Sequence, residues 1–272
     1  MAADTSTRPG EPTRTGEGAD GFPHESKYPL FVGAGLFFSG VGLSMWLPVL
    51  VVGVPLLLYG AGGWTWEYTV EEFERGVVPR QKHQLLGMKS GYIAMILLIA
   101  GELLIFAGLF VAWFYLDAER GPFPVGGLPA PSFTYGAVMT ALMIVGSIAF
   151  AWARSSINRD ARGRFNTGLA LALLTGLGFL GALWIEWSRL MAEGLTWTAG
   201  PYGAAYYVLT GVHAAHLLGG LALGGVVAYR AWGRGHFSSK RHLMVATTEA
   251  YWHFLTFVSV LILAFVYFPT SA

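Results

Sequence analysis

Seven stretches of mostly apolar residues, near 29–47, 49–66, 90–116, 133–153, 167–187, 203–229 and 246–268, take up most of this sequence. A helix needs about 20 such residues to cross a bilayer. Within lipid, only helices and closed barrels satisfy every backbone polar group internally. The pattern therefore predicts an all-α fold, a bundle of seven transmembrane helices. Composition agrees, since charged residues make up only 12% of the chain, against about 25% in an ordinary soluble domain. Pro48, in SMWLPVL, cannot continue the helix before it. The first two spans are thus expected to form a tight hairpin over 29–66, followed by a five-helix bundle over 90–268.

The basic residues set a direction. Arg8, Arg14 and Lys27 precede the first span, and Arg75, Arg80, Lys82 and Lys89 lie between the second and third. Arg154, Arg159, Arg162 and Arg164 lie around the fourth connection, and Arg230, Arg234, Lys240 and Arg241 around the sixth. The alternate connections hold only Arg120 and Arg189. Positive-inside bias then places the N-terminus in the cytoplasm and the C-terminus outside. Residues 1–28 are rich in Thr, Gly, Pro and Glu, and are expected to form a disordered cytoplasmic tail. The net charge of +1 does not point to nucleic acid, and the absence of cysteine excludes disulfides, thiolate metal sites and cysteine nucleophiles. Trp64, Trp66, Tyr68, Trp184, Trp187, Tyr206 and Tyr207 sit near span ends, which predicts an interfacial aromatic belt.

The ionisable residues at membrane depth are few. Glu102 is embedded in MILLIAGELLIFAGLF, near the middle of the third span. A charge there costs roughly 2.5–3.5 kcal/mol on insertion scales, so the expected form is a neutral acid that donates one hydrogen bond and holds a proton. His213 and His216, in TGVHAAHLLGG, are three apart and share one face of the sixth span. Such a pair could bind a metal, but a full site needs further ligands. The favoured reading is two neutral imidazoles bonded across helices, with Glu102 and Thr210 as candidate partners. Glu249 and His253 are four apart in TTEAYWHFLTF and could meet on one face. Tyr251, Trp252 and His253 also fit an inner-boundary anchor. Glu186 lies near the outer end of the fifth span, where Arg189 could pair with it.

At these residues a resemblance becomes visible. GELLIFAGLFVAWFY, YGAAYYVLTGVHAAHLLGG and EAYWHF together resemble subunit III of the haem-copper terminal oxidases, over nearly all of residues 28–269. The matching positions include Glu102, then Tyr202 and Gly203, then Thr210, Gly211, His213, His216 and Gly219, and then Tyr251 to Phe254. Gly40, Met45 and Trp46 fit the first span of that family, Trp152 the fourth and Glu186 the fifth. There are departures. Gly101 stands where the family often has Ser, Thr256 where it often has Asp, and Arg154-Ser155 where many members have His-His.

The resemblance implies an accessory subunit with no redox centre of its own, whose first two helices splay from the other five around a lipid-filled cleft. It implies a prokaryotic plasma-membrane oxidase of the cytochrome c type, acting in aerobic respiration. Catalytic subunit I and subunit II would be its partners, haem and copper would be held by them, and structural phospholipid would be bound. Glu102 would face the catalytic subunit and support oxygen reduction and proton uptake there, with Thr210, His213, His216, Glu249 and His253 as proton-related or partner-facing groups. Trp66 and Glu72 would meet lipid headgroups. On the cytoplasmic loops, His24, His83, His236 and His242, with Glu71, Glu72 and Glu74 nearby, could collect protons as an antenna. The alternatives are an accessory subunit of a quinol oxidase or nitric oxide reductase, a membrane metalloenzyme centred on the His pair, and a proton-coupled transporter. Neither a repeat nor a pair of matching broken helices supports the last.

Overall fold

The structure is a computed structural model, which describes residues 26–44, 46–67, 83–85 and 88–271. Residues 1–25 of the predicted tail and most of the connection holding Glu71, Glu72 and Glu74 lie outside the described residues. The chain divides into two compact units, residues 1–79 and 80–272.

In the first unit, α1 (Tyr28–Ser44) and α2 (Leu50–Trp66) are joined by a 3₁₀ turn, Leu47–Val49, with Pro48 in its first positions. The turn falls where Pro48 predicts it. The 17 residues of α1 span about 25 Å, and α2 continues through Pro55. The two helices meet through glycine. A methyl group on Gly35 would run into the backbone of Leu57, one on Gly42 into Leu50, one on Gly53 into Phe38 and Ser39, and one on Gly60 into Phe31 and Val32. Gly35 and Gly42 are seven apart, as are Gly53 and Gly60, so each helix offers one small-residue seam and the backbones come close. Lipid competes with any apolar side chain for a helix surface, so close backbone packing of this kind is what binds helices within a membrane. Gly53→Ala is therefore expected to destabilise the hairpin by about 1–3 kcal/mol, the usual cost of overpacking. Gly62→Ala, with open space at the same atom, should be neutral or slightly stabilising. Thermal unfolding of the two variants checks this.

The second unit begins with two short antiparallel strands, β1 (His83–Leu85) and β2 (Met88–Lys89), a small departure from an all-α expectation. Five long helices follow: α3 (Ser90–Arg120), α4 (Phe133–Ile157), α5 (Arg162–Ala192), α6 (Pro201–Trp232) and α7 (Leu243–Ile262). The last continues through a π-helical turn, Leu263–Tyr267, into a final turn α8 (Phe268–Ser271). At 31 residues, α3 and α5 are about 46 Å long, so they exceed the predicted spans and the ~30 Å hydrocarbon core. The helices are apolar enough and long enough to make this a multi-pass membrane protein.

The helix order places the site. α4 packs most extensively on α5, while α7 contacts α3, α4 and α6 and is the most buried helix. Its Trp252 is fully buried beside Phe150 of α4. The indole fits only because Gly146 is small: a methyl group there would overlap Thr175 and stand 3.0 Å from Trp252 Nε1. Tyr251 and Trp252 are thus core residues and not boundary anchors, because α7 starts more than two turns before them. Tyr206 and Tyr207 also leave the predicted belt. Both are buried, with the Tyr206 hydroxyl 2.9 Å from that of Tyr267 and the Tyr207 hydroxyl donating to the Leu195 carbonyl at 2.7 Å.

Candidate functional site

Glu102 of α3 and His216 of α6 meet. Glu102 Oε2 lies 2.7 Å from His216 Nε2, and the other ring nitrogen, Nδ1, lies 2.7 Å from the Val212 carbonyl. A carbonyl oxygen only accepts, so Nδ1 carries a proton. Nε2 and Oε2 then share one further proton, which makes either a neutral acid and imidazole or a carboxylate and imidazolium. Both forms have zero net charge, so a proton can be held at this depth without an uncompensated ion. The Phe106 ring packs 5.1 Å from that of His216, and the Tyr251 hydroxyl donates to the His216 carbonyl at 3.3 Å. The two side chains are 19% and 18% exposed, so they are mostly covered. Leu97, Leu104 and Val111 form an exposed apolar stripe on α3 at seven-residue spacing, on the side of that helix turned away from Glu102.

His213 is different. Its ring is buried between Phe106 and Phe179, and neither nitrogen has a hydrogen-bond partner among the described residues. The predicted partner Thr210 is engaged elsewhere, donating to the Tyr206 carbonyl at 2.7 Å and accepting from Trp187 Nε1 at 3.3 Å. Thr210 lies one turn above His213 on its own helix, where the backbone carbonyl competes for its hydroxyl. Leaving a buried polar group unpaired costs about 1–3 kcal/mol. His213 does line a small cavity, shared with Thr140, Thr210, Ser259 and Tyr267. Among the described residues, no three His, Asp or Glu side chains come together to hold a metal ion.

A second polar chain runs between α3, α4 and α7. Tyr92 accepts from Arg154 Nη2 at 3.1 Å, and Arg154 Nη1 donates to Glu249 Oε2 at 2.7 Å. Glu249 Oε1 is 3.5 Å from His253 Nε2, and His253 Nδ1 bonds to Ser147. The predicted i, i+4 pair therefore forms, within a longer chain that α7 builds by packing on α4. Arg154 finds Glu249 as its counter-ion. Tyr92 and Ser147 were not legible as members, because their place in the chain depends on which helices are neighbours.

Near the other end, Glu186 is fully buried. Its Oε1 accepts from the Ser132 backbone N–H at 2.6 Å and from Arg189 Nη2 at 2.8 Å, and its Oε2 accepts from Arg189 Nε at 3.0 Å. Ser132 precedes α4, so a carboxylate sits at the positive end of that helix. Arg189 also donates to both oxygens of Glu193, at 2.9 and 2.8 Å, and to the Ala130 carbonyl at 3.2 Å. The ion pair expected between Glu186 and Arg189 is thus a clamp on the α3–α4 connection.

The loop histidines differ among themselves. His24 and Glu72 lie outside the described residues, and only the backbone of His83 is described, in β1. Trp66 ends α2 with its indole exposed. His242 Nδ1 donates to the Ser238 carbonyl at 3.2 Å. His236 Nδ1 accepts from Arg230 Nε at 3.4 Å. Burial, and then the charges of Arg230, Arg234 and Arg241, hold the His236 pKa below its ordinary 6.5. The unfolded loop binds that proton more readily than the folded one, so the folded loop loses stability as pH falls through 6.5. An NMR titration is expected to give a His236 midpoint below 6.5, and a midpoint above it would contradict this environment. Nearby, Asp160 takes a left-handed φ of 55° and accepts from the Ser239 backbone N–H at 2.7 Å. The Ser239 side chain, and then this N–H, hold its carboxyl below the usual range.

Comparison with known proteins bears on the whole arrangement. The family model for cytochrome c oxidase subunit III matches residues 23–271. The chain is 30% identical over 251 residues to the cytochrome c oxidase subunit 3 of Petromyzon marinus, covering 86% of this chain and 90% of that one. It is 28% identical over 246 residues to that of Formosania lacustris, with the same coverage. It is also 28% identical over 207 residues to the heme-copper oxidase subunit I+III of Aeropyrum pernix, covering 73% of this chain but 25% of that longer protein. With seven apolar helices among the described residues and a mostly covered acid–imidazole pair already in place, a match over nearly the full length shows that the chain belongs to the cytochrome c oxidase subunit III family, and so to a haem-copper oxidase, an oxidoreductase complex.

Proposed function

We propose that this chain is the non-redox third subunit of a cytochrome c-oxidising terminal oxidase in a prokaryotic plasma membrane, where it supports oxygen reduction and proton uptake by the catalytic subunit. The observation that carries this reading is the Glu102–His216 pair. It is a site able to hold one proton without net charge, about four-fifths covered. The part of the pair left exposed is assigned to the catalytic subunit. The Aeropyrum relative, whose name joins subunits I and III, supports the pairing with a catalytic subunit I. Subunit II and phospholipid are further proposed partners, with Trp66 and Glu72 at lipid headgroups. Haem and copper belong to the partner subunits, a reading supported by the absence of cysteine and by hydrogen-bond partners for His216 and His253 within the chain.

The Arg154–Glu249–His253–Ser147 chain is given a positioning role, holding α4 against α7 on the side where basic loops cluster. That side is assigned to the cytoplasm on the distribution of Lys and Arg. His236 contributes least to the antenna, since burial and then the charges of Arg230, Arg234 and Arg241 hold its pKa below 6.5. Purification of a tagged chain in mild detergent tests the proposal. Haem absorption bands are expected in the visible spectrum, with oxygen consumption driven by reduced cytochrome c in preference to a quinol. A colourless preparation, or consumption driven only by quinol, would overturn the assignment.

A further inference from the structure

From the cavity at His213 we infer an internal water site, bound by side chains of three helices and separate from the Glu102–His216 pair. The cavity is lined by His213 and Thr210 of α6, Thr140 of α4 and Ser259 of α7, with Phe179 and Tyr267 as apolar walls. It offers about 10 Å³ to the centre of a water molecule, close to the space that one water requires. A site of that size is hydrated only where it supplies two or more polar partners, and an apolar one stays dry. This one supplies them.

A neutral imidazole has one donor and one acceptor, and both His213 nitrogens lack a protein partner among the described residues although the residue is 2% exposed. Across the cavity wall, the Thr140 hydroxyl meets its neighbours at long distances, 3.4 Å to the Ser259 carbonyl and 3.3 Å to the Ser259 hydroxyl. Hydroxyls placed so loosely keep capacity for a further bond. One water donating to His213 and accepting from Thr140 or Ser259 would satisfy groups on α4, α6 and α7 together.

Neither Glu102 nor His216 lines the cavity, and Phe106 packs against both histidine rings, 6.2 Å from that of His213 and 5.1 Å from that of His216. The water is therefore assigned to tying helices together and not to the acid–imidazole pair. The ligand class follows from the lining. There is no carboxylate to hold a cation and no cationic group to hold an anion, while donors and acceptors are mixed as water requires.

Two measurements test this, and neither depends on the proposed function. A map of the purified complex containing this chain, at a resolution that shows ordered water, should have density within hydrogen-bond distance of a His213 nitrogen and of Thr140 or Ser259. A cavity without density, in a map that shows other buried waters, would overturn the site. So would a His213 ring bonded directly to protein. The second measurement is a thermal-unfolding cycle of His213→Phe, Ser259→Ala and the double variant. With a bridging water, both single variants lower the midpoint and the double variant lowers it by clearly less than their sum. Additive shifts, or a midpoint raised by His213→Phe, would show that the imidazole binds no water there.

Discussion

Arg189→Ala is expected to destabilise the five-helix unit by about 3 kcal/mol, the low end of the range for breaking a buried ion pair from one side. The reason lies in what the substitution leaves behind. Glu186 is fully buried, and two of its three hydrogen bonds come from Arg189. Only the Ser132 N–H would stay, which is why the low end of the range applies. The loss spreads further, because Arg189 also holds the Ala130 carbonyl and the Glu193 carboxylate. Arg189→Lys should recover only part of the loss, since an ammonium cannot reproduce the planar fork that engages two carboxylates and a carbonyl. Removing both charges, as in Glu186→Gln with Arg189→Met, should cost less than Arg189→Ala alone, because no buried carboxylate is stranded. Unfolding midpoints of the four proteins measure this. Equal midpoints for the unsubstituted protein and Arg189→Ala would mean that the clamp contributes nothing to holding α4 in place.

How much of this could be read from the sequence differs from group to group, for a physical reason. The spans and the hairpin turn were legible, because apolar length and Pro48 act locally. Glu102 with His216 was legible because polar groups at that depth have few possible partners. By contrast, the rotation of each helix was not legible. Lipid and protein core are both apolar, so hydrophobic periodicity says little about which face is buried. That is why Tyr206 and Tyr207 read as belt residues yet lie in the core, and why Tyr251 and Trp252 read as anchors. The counter-ion of Arg154 was hidden for a related reason, since it depends on α7 lying against α4. Thr210 read as a partner of the histidines because it shares their helix, but its hydroxyl is taken by the Tyr206 carbonyl one turn back. That Gly35, Gly42, Gly53 and Gly60 form one seam was not legible either, because it depends on how the backbones of the two helices approach each other.

The second large effect is expected at Glu102. Glu102→Ala removes the side-chain partner that His216 Nε2 has among the described residues, and should both destabilise the α3–α6 contact and impair the oxidase. Glu102→Gln separates the two roles. With Nδ1 donating to the Val212 carbonyl, the neutral ring presents an acceptor at Nε2, and a glutamine amide can donate to it. The contact and the fold are thus retained, while a group able to gain and lose a proton is replaced by one that cannot. The most direct measurement is turnover-linked proton uptake by the purified oxidase carrying Glu102→Gln. If the pair holds a proton for the catalytic subunit, uptake should fall severalfold while the unfolding midpoint stays near that of the unsubstituted enzyme. Uptake and midpoint both unchanged would contradict that role and leave Glu102 as a helix-to-helix hydrogen bond alone.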